Sequence, residues 1–287
     1  LKDVFLMTIE GLIERYKNEL PNKQVTEEEF KLMMSNIGNP NADIREENFD
    51  LIARLIISGK LEDFQMLQLL EHCEFVLNSV NESDTEHLVL DRSFSALIIG
   101  IIVEYLEEHE QLPQDIYEKI INIAIKYMDK ETDVRGYVQG TGWMHSVAHG
   151  SDLLATCVRS KYYSDDCNKV ILKVIAKKLY QLNTDLSCYI DDEDERQAFI
   201  IEALLEKGLT DQELSNWVSE LFVTVNQTDL NQSEEAYLSY FRIRKNIKDF
   251  LKTLYFRLKF NQKCQVTQDK IEEILKKLYL ELTQQGE

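Results

Sequence analysis

The sequence predicts an all-α chain built as a stack of antiparallel helix pairs, an α-solenoid, and three observations carry that expectation. Turn residues are scarce: 287 residues include only 10 Gly and 3 Pro, fewer than hairpin-rich folds consume. Apolar residues recur at helical spacing along nearly the whole chain. A short Asp–Arg pattern opens apolar segments at intervals of 47 and 43 residues, the period of repeats made of two helices.

The helices follow in order from their apolar stripes and end signals. Val4, Phe5, Ile9, Leu12, Ile13 and Tyr16 form one stripe, and Phe49, Ile52, Ala53, Ile56 and Ile57 form another. Ile116, Ile120, Ile123, Ala124, Tyr127 and Met128 form a third. Residues three and four apart fall on one helix face, so each stripe is a face to bury. Thr26 with Glu29, and Thr210 with Glu213, have the spacing of capping boxes, which satisfy free backbone N–H groups at a helix start. Pro113 stands where a helix should begin, because its missing N–H costs nothing in a first turn. About twelve helices fit, with short connections and no convincing hairpin signal.

The repeat rests on four places. Asp43-Ile-Arg45 and Asp91-Arg92 each open an apolar helix, Asp133-Val-Arg135 precedes a third, and Asp194-Glu-Arg196 starts a fourth. An acidic residue suits the positive end of a helix, and the arginine can tie one repeat to the next. The first two arginine spacings match HEAT-type helix pairs; the last, 61 residues, requires an insertion. In such a stack each pair buries its face only against its neighbours, so residues 1–287 form a single helical-repeat domain, with an irregular Gly-rich insertion at 133–143.

Composition narrows the function. The chain is acidic, with a net charge of −19; this repels nucleic acid and anionic lipid at long range and weakly favours cationic partners. The longest apolar run, residues 96–103, is far short of a membrane span, and the N-terminus carries no secretory signal pattern. Cys73, Cys157, Cys167, Cys188 and Cys264 are scattered, without a Cys-x-x-Cys pair; free thiols in a reducing, cytoplasmic compartment are the expectation.

Function concentrates in residues 133–154, which hold four of the ten glycines (Gly136, Gly140, Gly142, Gly150), two of the five histidines and one of the two tryptophans. Glycines weaken helices, so a cluster implies irregular backbone, positive φ or the close approach of another group. If a helix begins near Trp143, His149 lies about 40° and Asp152 about 20° from His145 around its axis. One face then presents two imidazoles and a carboxylate. Such a trio can bind a divalent transition metal such as zinc, or do acid–base work with Asp152 fixing a histidine tautomer. It can equally be a buried polar network in which Arg135 meets Asp152. No His-Glu-x-x-His protease motif is present, since residues 145–149 read His-Ser-Val-Ala-His.

The pattern Arg135-Gly-Tyr-Val-x-Gly-x-Gly-Trp143-x-His145-x-x-Ala-His149-x-x-Asp152-Leu-Leu resembles the signature of a bacterial family of unknown function, numbered twenty-seven eighty-five among such domains. Arg92-Ser-Phe-Ser-Ala-Leu, Asp194-Glu-Arg196-x-Ala, and Asn246 followed by Phe250-Leu-x-x-Leu-Tyr255-Phe-Arg257-Leu are similar to it too. The likeness runs over residues 36–260. It implies an all-helical, HEAT-like protein and names no activity.

Elsewhere, residues 240–263 carry eight basic side chains against one acid, Asp249. That stretch is either a site for an anionic partner or a solvated helix face paired with acids such as residues 191–195. Ser93 and Ser95 lack a Gly-x-Ser-x-Gly context, and no phosphate-cradling loop is present. The expected function is a binding or scaffold module whose concave polar site uses Arg135, Trp143, His145, His149 and Asp152. Its partner would be a protein, a peptide or a small anionic ligand, with no nucleic acid, no membrane insertion and no cofactor. The alternative is a metal-dependent hydrolase with His145, His149 and Asp152 as ligands.

Overall fold

The computed structural model describes residues 7–80, 86–226 and 233–284. Among the described residues the chain forms α1 (Ile9–Tyr16), α2 (Glu27–Met34), α3 (Ala42–Ile57), α4 (Asp63–Asn78), α5 (Glu86–Glu108) and α6 (Gln114–Lys130). A short ribbon of β1 (Tyr137–Val138) and β2 (Gly142–Trp143) follows, then α7 (Ser146–Arg159), a 3₁₀ turn (Asp165–Cys167) and α8 (Asn168–Leu179). The chain continues through α9 (Glu193–Glu206), α10 (Asp211–Asn226), α11 (Glu234–Phe260) and α12 (Gln265–Gln284). The all-α class is as the sequence predicts.

The end signals act as read. Thr26 and Glu29 exchange both bonds of a capping box at α2, Thr210 and Glu213 do the same at α10, and Pro113 caps α6. Packing alternates. Helix α1 lies on α3, α3 on α5, α5 on α7, α7 on α9 and α9 on α11, while α4 lies on α6, α6 on α8, and α10 on α12. Helix α5 sits where α3, α4 and α7 meet. Ala96, Ile98, Ile99 and Ile102 are accordingly fully buried, as a helix apolar on all sides requires.

Two stripes fall partly elsewhere. Val4 and Phe5 of the first lie outside the described residues, whereas Ile9, Leu12 and Ile13 are buried. In α3 the buried face runs through Leu51, Ile52, Leu55 and Ile56, leaving Ile57 66% exposed at the last residue of the helix. Asp91-Arg92 does not open its helix. Helix α5 starts at Glu86, and its early residues Val89 and Leu90 are buried against Val138 and Met144.

The 133–143 segment contains a hairpin that the sequence reading missed. Tyr137 pairs with Trp143 and Val138 with Gly142, antiparallel. The Thr141 N–H donates to the Val138 carbonyl at 3.1 Å, and Gly140 takes φ 90°. A three-residue loop with glycine in the left-handed region is a common hairpin connection.

Candidate functional site

Several buried ties position the hairpin. Arg45, fully buried in α3, donates from Nη2 to the Thr141 carbonyl at 2.7 Å and from Nη1 to the Asn39 carbonyl at 2.8 Å. Its guanidinium lies over the Phe94 ring, 5.1 Å from the centroid. Gly142 makes this approach feasible: a Cβ there would stand 2.7 Å from that of Ala42. A Cβ at Gly136 would meet Asp191 and Glu193 at 2.2 and 2.6 Å, and the Tyr137 N–H donates to Asp191 Oδ2 at 2.9 Å. Below, the fully buried Arg92–Glu131 pair fixes the segment's start, because Glu131 Oε1 also accepts the N–H groups of Thr132 and Asp133. Of the four arginines in the Asp–Arg pattern, Arg45, Arg92 and Arg196 link separate elements.

Helix α7 does not begin near Trp143. It starts at Ser146, and His145 is its N-cap in the left-handed region, φ 44°. The single-face geometry derived for a helix from Trp143 therefore does not apply to His145. The two histidines meet all the same: their centroids lie 5.6 Å apart, edge to face at 84°. They belong to a continuous series of rings. Tyr137 stands 5.0 Å from Trp143, Trp143 4.3 Å from His145, His149 5.4 Å from Phe94, and Phe94 5.8 Å from Phe49. Tyr137 and Trp143 form the exposed end at 55% and 37%; Phe94 is buried.

Hydrogen bonding assigns roles to the imidazoles. His145 Nε2 lies 3.1 Å from the Asp191 carbonyl oxygen; a carbonyl only accepts, so Nε2 carries the proton. His149 Nδ1 lies 2.8 Å from the Ser93 hydroxyl. Burial lowers the proton affinity of both rings. For His149 it acts together with the neighbouring His145 and Arg196 and takes the pKa down to about 3; for His145 the direction is the same, with burial the main cause. Both imidazoles are neutral at pH 7.

The acidic member is placed differently from expectation. Asp152 Oδ2 accepts from Arg196 Nη1 at 2.8 Å, so the guanidinium at Asp152 comes from α9. Arg135 instead pairs with Asp133, Nε to Oδ2 at 3.0 Å. Only Val134 separates Arg135 from Asp133, so this pair is local and lies just ahead of the hairpin. Burial pushes the Asp152 pKa up and outweighs the lowering effect of Arg196, so the net direction is upward. Among the described residues no group of three His, Cys, Asp or Glu side chains is placed to hold a metal ion.

Glu193 is the residue the sequence reading missed. It is fully buried in the first turn of α9. Its Oε2 accepts the Asp191 N–H at 3.1 Å. Its Oε1 has no hydrogen-bond partner among the described residues and lies 3.8 Å from His145 Nε2. Burial, against opposing backbone N–H bonds, pushes its pKa up to about 7. It stands one residue before the Asp-Glu-Arg pattern, inside an acidic run that reads as a solvated helix start.

The basic stretch is mixed. Arg257 pairs with Glu195 and Glu202, and Lys245 and Lys252 pair with Asp249 on their own helix. Arg242, Lys252, Lys259 and Lys263 are exposed.

A family model described as protein of unknown function (DUF2785) matches residues 76–256, more than half of the chain. The chain belongs to the DUF2785 family. The match takes in α5 to α10, most of α11, the hairpin, His145 and His149. No curated protein and no solved structure matches the chain.

Proposed function

We propose that the chain is a HEAT-like helical-repeat binding or scaffold module whose binding face is the hairpin and the N-terminal end of α7. The alternating helix rows support the repeat reading: from α1 to α11 each odd-numbered helix packs on the next odd-numbered one, and α4, α6 and α8 pack in a second row, which is how stacked helix pairs make a continuous core. One observation carries the binding reading, the run of rings from exposed Tyr137 and Trp143 to His145 and His149. Exposed aromatic rings on a rigid support give large contact area at small entropic cost. Arg45, Asp191 and Glu193 hold the hairpin from beneath, so the rings are in place before a partner arrives. Arg135, Trp143, His145, His149 and Asp152 remain the proposed site, with Tyr137 added. A protein or peptide partner suits such a ring surface. Five free cysteines support a reducing, cytoplasmic setting, and no described helix is long and apolar enough to cross a membrane.

The test is an array of short peptides varied in charge and aromatic content, probed with the wild-type chain and with the Tyr137→Ala/Trp143→Ala double variant. Tyr137 is mostly exposed, but Trp143 is only 37% exposed with its ring against His145, so the double variant should lose stability at that contact, and a cooperative unfolding transition establishes that it is folded before peptides are compared. Peptides bound by the wild type should lose signal with the variant. Equal signals from the two proteins would refute the binding face. Elemental analysis of the same preparation addresses the hydrolase alternative, in which neutral His145 and His149 would be ligands: a stoichiometric transition metal would move the assignment there.

A further inference from the structure

The row of α4, α6, α8, α10 and α12 has one interruption. Helices α4 and α6, α6 and α8, and α10 and α12 pack closely, whereas α8 and α10 are joined through side chains with a groove between them. Two aromatic side chains span the gap and set its width. Trp217 of α10 donates from its indole N–H to the Leu172 carbonyl of α8 at 3.1 Å. Tyr180, capping α8, donates its hydroxyl to the Leu221 carbonyl of α10 at 2.5 Å. Tied at two points, about two turns apart on α8 and about one turn apart on α10, the gap is a preformed groove of about 470 Å³.

Its floor is apolar: Leu172, Ala176, Leu209, Trp217 and Leu221. Its walls are charged with opposite signs. Lys169 and Lys173 rise on the α8 side, and Glu213 and Glu220 on the α10 side. All four are exposed. Lys169 helps hold the Glu213 carboxyl below the usual carboxylate range, after the Thr210 cap bonds that dominate, so the walls interact across the groove.

We propose that this groove docks an amphipathic helix of a partner protein, with an apolar stripe for the floor, acidic residues along one edge and basic residues along the other. The row supplies the reason for a helix. The gap lies where a neighbouring helix would otherwise pack, and an apolar stripe at i, i+3 and i+4 seats in a groove between two helices. The walls supply the charge pattern. An all-basic helix meets Lys169 and Lys173, an all-acidic one meets Glu213 and Glu220, and only a helix with split edges satisfies both. This groove is distinct from the hairpin face and does not depend on its role.

Three synthetic helical peptides with one common leucine stripe test this by isothermal titration calorimetry against the full chain: one with split edges, one with both edges lysine, one with both edges glutamate. The split-edge peptide should bind at least about tenfold more tightly than either uniform peptide. In the Lys169→Glu/Lys173→Glu variant both walls are acidic, and the order should change so that the lysine-edged peptide binds best. Ala176→Trp fills the floor without emptying the core, and it should abolish binding while leaving Tm close to wild type. Absence of binding by the split-edge peptide would overturn the proposal. So would tighter wild-type binding of the lysine-edged peptide, which would mean that overall negative charge governs, or unchanged binding by Ala176→Trp.

Discussion

Replacing Glu193 by Gln should raise the chain's stability relative to wild type as pH rises. The carboxyl is buried at a helix start, and its pKa is raised from 4.5 to about 7. A raised carboxyl means that the folded chain holds a proton which the unfolded chain has already released. Stability from this group is therefore fully present below about pH 4.5 and is lost as pH climbs to about 7. At about 1.4 kcal/mol for each tenfold change in proton affinity, the whole loss is about 3 kcal/mol. The part falling between about pH 5.5 and about pH 8, a window above the isoelectric range, is about 2 kcal/mol. Glutamine keeps the shape and the acceptor for the Asp191 N–H, but its amide N–H₂ faces the protonated nitrogen of His145. The His145 nitrogen already donates to the Asp191 carbonyl, so the amide N–H₂ is left unpaired, at a constant cost of about 1–3 kcal/mol. The absolute difference between the proteins thus depends on two opposing effects, while its change with pH depends on one. Urea unfolding of both proteins at half-unit pH steps gives that change directly. A difference constant across the window would refute the reasoning, because it would mean that Glu193 is solvated or already paired.

His149→Phe should resist acid better than wild type. The imidazole stays neutral down to about pH 3, so wild-type stability falls as pH drops below 6.5, and the variant's acid-unfolding midpoint should lie lower by circular dichroism. At neutral pH the variant leaves the Ser93 hydroxyl unpaired, at about 1–3 kcal/mol. Arg45→Met should cost about 3 kcal/mol or more, since the Thr141 carbonyl of the hairpin and the Asn39 carbonyl before α3 lose a buried donor; Tm and the near-ultraviolet signal of Trp143 report it, and an unchanged near-ultraviolet spectrum would show that the hairpin holds without Arg45. Arg242→Glu with Lys248→Glu should leave chemical-denaturation stability within about 1 kcal/mol, as both lie on a partly exposed basic face.

The helices were legible because each depends on information a few residues long. Thr26 and Glu29 name a helix start by themselves, and the stripe from Ile120 to Met128 names a buried face. The errors occurred where distant residues decide. Ile57 fits a helical stripe but ends α3 in solvent, and only the position of the neighbouring helices fixes which angular range is covered. Asp91-Arg92 looked like a helix start because an acid followed by arginine suits one. It is instead the middle of a helix extended toward Met144 and Val138. The hairpin had a local signal, Gly140 in a three-residue loop. A helical reading of the Trp143–His149 region overrode it.

The site was legible in membership and illegible in geometry, and one residue explains the difference. His145 takes φ 44°, a conformation costing a non-glycine residue about 1 kcal/mol or more, and no spacing rule anticipates it. What holds it there arrives from elsewhere in the chain: the Asp191 carbonyl at Nε2, and the Arg135 carbonyl that accepts its N–H at 3.2 Å. The same long-range closure brings Arg196 to Asp152 in place of Arg135, and Glu193 beneath the hairpin. In sequence, residues 191–196 look like an acidic helix start that also recruits an arginine, and their meeting with residues 136–152 is a property of how α7 lies on α9. A pattern search sees the glycines, since each close approach leaves a mark at its own position: Gly136 against Asp191 and Glu193, Gly142 against Ala42, Gly150 against Tyr127 and Met128. It does not see what approaches. A glycine cluster among aromatic and histidine residues therefore marks a crossing of chain segments, and the chemistry there belongs as much to the approaching segment as to the one that carries the glycines.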